Sequence, residues 1–123
     1  MKLSAALAVI WHIIVTFLTL IPGKDLPKVD IINFDKFAHT GVFALLTYLY
    51  LRWQMAKSPV LTQKHYLLVL GLIAYGGLIE LIQGAFYVDR HASWFDFLAN
   101  SLGCIIILAL VYWNKTILLL KNK

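Results

Sequence analysis

A chain of 123 residues with 61% hydrophobic side chains and a mean hydropathy of +0.78 has the length of one domain and a composition beyond that of soluble globular proteins. Its net charge of +5 does not point to nucleic acid, because the basic residues fall between and beyond apolar runs; that pattern suits anionic lipid headgroups and topology signals. One cysteine, Cys104, lies in a hydrophobic run, which excludes an internal disulfide framework.

The first apolar run, Leu3 to Ile21, holds 19 residues. At 1.5 Å per residue it matches a hydrocarbon core of ~30 Å, and Pro22 and Gly23 end it. The region is longer than the core of a secretory signal and no small-x-small cleavage pattern follows, so a retained span is expected. His12, Thr16 and Thr19 form one polar stripe along it, suited to interhelical hydrogen bonds or to a proton relay. A mixed polar loop follows, and Asn33 or Asp35 can cap a second span from about Phe34 to Trp53, where Arg52 and Trp53 mark an interfacial end. The third span, Tyr66 to Phe86, carries glycines at 71, 76, 77 and 84. Gly77 and Gly84 flank Glu80 on one face, where a helix or a ligand can come close. A fourth span starts at Trp94 and ends near Trp113, with a possible interfacial tail beyond it. The expected fold is therefore all-α, an integral membrane four-helix bundle, with residues 1–123 as a single domain.

Lysine and arginine counts in short loops orient such a bundle. With the N-terminus cytoplasmic, Lys2, Arg52, Lys57, Lys64, Lys115, Lys121 and Lys123 fall inside and Lys24, Lys28, Lys36 and Arg90 outside, seven against four. Both termini are then expected in the cytoplasm. In that orientation Asp35, Lys36 and His39 open the second helix, Glu80 and Gln83 close the third, and Arg90, Ser93, Asp96 and Asn100 lead into the fourth. All three groups fall at the extracytoplasmic ends of their helices.

Each of these residues has a plain and a functional role. Glu80, the sole glutamate, sits about 9 Å inside its span, where a carboxyl must be paired, protonated or facing a wet cavity. Arg90 can grip a phosphate or snorkel to headgroups. Ser93 and Asp96 have capping-box spacing, which explains them without a ligand. Asn100 lies a turn deeper, beyond the reach of capping, and suits interhelical bonding or substrate contact. His39, one turn from Asp35, is a candidate acid or base oriented by a carboxylate. Asp89 and His91 suit solvated loop positions.

Taken together, Asp35-Lys36-x-x-His39-x-x-x-Phe43, Glu80-x-x-Gln83, Arg90, Ser93, Asp96, Asn100 and Gly103 resemble the VanZ-like family of small bacterial membrane proteins. The resemblance covers residues 35–103. It departs where members often have a second glycine about four residues after the match to Gly103; here Ile107 stands. The resemblance implies a multi-pass protein of the bacterial cytoplasmic membrane, some of whose relatives are linked to resistance to the glycopeptide teicoplanin. It does not imply a reaction.

Three functions are weighed. In the first, the polar set binds a lipid headgroup or a lipid-linked envelope precursor, with Asp35, Lys36, Gln83, Arg90, Ser93 and Asn100 as ligand contacts. In the second, the protein is a hydrolase or transferase on a phosphate-bearing lipid-linked substrate, with His39, Glu80 and Asp96 catalytic. In the third, the charges only lock the helices together. No H-E-x-x-H, no G-x-S-x-G and no poised serine or cysteine nucleophile is present. His39, Glu80, Asp96 and Asp35 offer metal-binding chemistry, yet no ligand spacing announces a site. The expected partners are membrane lipids, with no cofactor, no metal and no nucleic acid.

Overall fold

The computed structural model describes residues 2–20, 34–57, 61–86 and 94–113, apart from the side chains of Phe34, Asp35 and Phe86. The described chain is helical: α1 is Lys2–Thr19, α2 Phe34–Met55, α3 Gln63–Phe86 and α4 Trp94–Trp113. Helix α1, residues 63–85 of α3, and α4 are each long and apolar enough to cross a membrane. Helix α2, expected from the sequence as a span of the same kind, is less apolar than these three, and its position explains why. It packs against all three other helices, so much of its surface meets protein.

That central helix supplies much of the core. Phe43, Leu46, Thr47 and Leu51 are fully buried on α2, with Val15 from α1, Val69, Leu72 and Ile79 from α3, and Cys104 and Val111 from α4 around them. The outward faces stay apolar. Leu3, Ile13, Phe17, Leu67, Leu70, Leu81, Leu98 and Ile105 are all exposed, a surface that suits hydrocarbon and that a water-soluble monomer would not present. Between helices in lipid, close packing and hydrogen bonds replace the hydrophobic effect as the cohesive terms.

The closest approach joins α2 and α4 at Gly103. A Cβ built there would stand 2.3 Å from the Thr40 carbonyl oxygen and 2.9 Å from the Ala44 nitrogen. Only glycine fits against that backbone. The Thr40 hydroxyl then donates across the seam to the Ala99 carbonyl at 3.1 Å, and also back to the Lys36 carbonyl. One glycine is enough to make the contact, and Ile107 packs beside the core. Helices α3 and α4 meet at Gly77, which receives the edge of the Phe97 ring; Gly84 is exposed.

The polar stripe of α1 is turned inward. His12 Nδ1 lies 2.7 Å from the Tyr50 hydroxyl, Thr16 bonds the Tyr75 hydroxyl, and the Trp11 indole donates to the Val42 carbonyl. The His12 ring also meets the Tyr75 ring edge-on at 4.5 Å. These contacts tie α1 to α2 and α3. Helix α3 starts three residues before the expected Tyr66 because Thr62 and His65 cap it: the Thr62 amide donates to His65 Nδ1 at 2.9 Å, with histidine in the place of a capping-box glutamate.

Candidate functional site

The antiparallel run of α2, α3 and α4 brings the start of α2, the end of α3 and the start of α4 to one end of the bundle. Lys36 and His39 stand a turn apart on α2, each bonded to a residue of α4. Asp96 lies in the first turn of α4, where the helix dipole favours a carboxylate, and Asn100 one turn deeper is 1% exposed. Glu80 comes from α3 and is 4% exposed.

Specific pairs hold this end together. The Lys36 ammonium donates to Asp96 Oδ1. His39 Nδ1 lies 2.8 Å from Asn100 Oδ1. An amide oxygen only accepts, so Nδ1 carries the hydrogen and the lone pair of the neutral ring is on Nε2. His39, Glu80 and Asp96, one from each helix, offer donor atoms that all lie within 4.8 Å of one another. Asn100 Nδ2 is buried and has no hydrogen-bond partner among the described residues. It sits against α3, 3.4 Å from the position a Cβ on Gly76 would take.

Two grooves reach this cluster from the outer surface of the bundle. The first, about 550 Å³, runs between α3 and α4 with Leu78, Leu81, Trp94 and Phe97 as walls and Glu80 beneath. The second, about 520 Å³, lies between α2 and α4, with Lys36 among its lining and Phe37, Phe95, Leu98 and Leu102 around it. An apolar slot ending at a few polar groups is the usual form of a site for an amphiphile.

Of the residues picked out in the sequence, His39, Glu80 and Asp96 are gathered, and Lys36 and Asn100 bond directly to two of them. Gln83 is 5% exposed and its amide donates to the Thr19 carbonyl at the end of α1, satisfying one of the carbonyls a helix terminus leaves open. Arg90 and Ser93 lie outside the described residues, as does the Asp35 side chain. The capping box proposed for Ser93 and Asp96 falls there too. Trp94 and Phe97, which wall the first groove, were not picked out in the sequence. Their signal was aromatic residues beside an acid at a helix start, a pattern that also describes any interfacial belt.

Comparison with protein-family models, with curated proteins and with solved structures finds no match to this chain.

Proposed function

We propose that this protein is a multi-pass protein of the bacterial cytoplasmic membrane that captures the phosphate-bearing headgroup of a lipid or lipid-linked envelope precursor at the extracytoplasmic end of its bundle. The observation that carries this reading is the groove between α3 and α4, apolar along its walls and ending on Glu80. An acyl or prenyl chain would lie along Leu78, Leu81 and Phe97 while its headgroup meets the polar residues at the helix ends. Lys36 and Arg90 supply positive charge for the phosphate, and Asn100 and Ser93 supply hydrogen-bond donors. The charge distribution of the loops supports both termini in the cytoplasm. The resemblance to the VanZ-like family, carried by Asp35, Lys36, His39, Glu80, Gln83, Arg90, Ser93, Asp96 and Asn100, supports an envelope ligand.

Native mass spectrometry of the detergent-purified protein tests the reading, with wild type, Arg90→Ala and Glu80→Gln compared at equal helix content. A discrete phospholipid or lipid-linked phosphate is expected on wild type and absent from Arg90→Ala. No retained lipid on any form would overturn it.

A second reading, catalysis on the same lipid, is favoured by one observation: the three residues best suited to acid, base or electrostatic roles, His39, Glu80 and Asp96, are the three that converge. On this reading Glu80→Gln carries a lipid of larger mass than wild type does, the substrate held unprocessed.

A further inference from the structure

We propose that His39, Glu80 and Asp96 form a divalent-cation site, and that the cation is what joins the phosphate of the headgroup to the bundle. The inference rests on the headgroup reading above and supplies the piece of chemistry that reading lacks. Glu80 and Asp96 set two carboxylates close together beside the place where an anion should bind. A dication held between those carboxylates gives the phosphate a cation to meet, and one phosphate oxygen then completes its coordination.

The donor set suits the task. Two carboxylates and one imidazole form a mixed hard and borderline ligand set, of the kind that holds Mn²⁺ or Zn²⁺. The three come from α2, α3 and α4, so the cation is bound by a rigid frame and not by a loop. Their donor atoms lie within 4.8 Å of one another, where an ion at about 2.1 Å from each ligand would hold them about 3.4 Å apart. Turning the carboxylates about their side-chain torsions covers that difference. Three protein ligands leave positions open for water or a phosphate oxygen, the arrangement of reactive and ligand-exchanging metal sites rather than closed structural ones.

Asn100 provides an observation independent of the three. Its amide oxygen accepts the His39 Nδ1 hydrogen, the outer contact that fixes a metal-binding histidine with Nε2 toward the ion. Among the described residues its Nδ2 is left without a partner, in a side chain 1% exposed. A buried amide donor with nothing to bond is costly, by about 1–3 kcal/mol, and an oxygen bound to the cation is the acceptor it lacks. Lys36 completes the picture: its ammonium occupies Asp96 Oδ1, standing where positive charge is required, and is released toward the phosphate when the cation arrives.

The test uses the full chain, purified in detergent and stripped with chelator, titrated with Mn²⁺ and followed by electron paramagnetic resonance. One Mn²⁺ per wild-type chain is expected. Glu80→Gln and Asp96→Asn should each weaken binding at least tenfold, and Asn100→Ala, which removes no ligand, should weaken it about 10- to 100-fold. Lys36→Met should tighten it, because the competing ammonium is gone while all three donors remain. This last variant keeps the proposal testable even if the acidic substitutions fail to fold. Absence of stoichiometric Mn²⁺ on wild type, or binding indifferent to Glu80→Gln, overturns the cation site. Retained phospholipid is then weighed in the same samples with and without chelator. Lipid lost on chelation supports the linkage, whereas lipid retained by a chain that binds no Mn²⁺ overturns the cation and leaves headgroup binding standing. Stoichiometric Mn²⁺ with no lipid leaves the cation and overturns the headgroup reading.

Discussion

Glu80 is 4% exposed at the foot of an apolar groove, so bulk water cannot solvate its carboxyl. Placing an unsupported carboxylate in a hydrocarbon region costs about 3 kcal/mol on insertion scales, and the Asp96 carboxylate close by adds like-charge repulsion to that cost. Glu80→Ala should therefore leave the protein inserted, with its detergent melting temperature moved by only a few degrees, and lower lipid retention at least tenfold; a chain that fails to accumulate in the membrane would show the carboxylate to be structural. His39→Gln separates the two functional readings. A site that binds the headgroup without a cation tolerates it, retaining the wild-type lipid, because glutamine can still donate to the Asn100 carbonyl; a site that needs the cation loses Mn²⁺ and lipid together, and a site that transfers protons keeps the lipid but loses turnover, which mass analysis of the bound lipid would show. At this scale the sequence announced which residues were expensive, since carboxylates, amides and imidazoles stand out against apolar spans. It did not announce who meets whom. Gln83 falls one turn from Glu80, yet its amide closes α1, and nothing in a local spacing relates position 83 to position 19.

At the scale of the helices, the bounds were legible because the punctuation is strong: Pro22 and Gly23, Arg52 and Trp53, and Trp94 stand at or near the observed ends. The missed start of α3 has a local cause, the Thr62 and His65 cap, in which histidine accepts the hydrogen bond usually taken by an acidic or amide side chain. Helix pairing was much less legible. The α2 to α4 seam depends on Gly103 meeting the Thr40 carbonyl, a contact between residues 63 positions apart. Gly103→Ala should push the two helices apart and cost about 1–3 kcal/mol, measured as a lower unfolding midpoint in mixed detergent, with Mn²⁺ or lipid binding weakened as His39 is drawn away from Asn100. The α1 contacts should be worth less. A double-mutant cycle of Thr16→Val with Tyr75→Phe is expected to give a coupling of about 0.6 kcal/mol, the usual size for one interhelical hydrogen bond in a membrane protein.

For the whole molecule, an all-α bundle was legible from hydropathy and the spacing of apolar runs, but the different status of α2 was not. Its polar residues read as one end of an ordinary span, whereas they belong to a helix that packs against the other three. If all four helices cross, Lys57 and Trp94 lie on opposite sides of the membrane. Cysteine introduced at Lys57 should resist a membrane-impermeant maleimide in intact cells and react after lysis, and cysteine at Trp94 should react in both. Equal labelling of the two positions in intact cells would show that the inferred orientation is wrong.

Those labelling experiments have a silent background because Cys104, the sole thiol of the chain, is 0% exposed. The same burial makes that sulfur a clock. A small alkylating reagent can reach it only when the bundle opens beside Gly103, so the slowing of its modification relative to unfolded chain reports the free energy of that opening, each tenfold being about 1.4 kcal/mol. Followed with and without cation or lipid, the clock would register how firmly an occupant at one end of the bundle holds its middle shut.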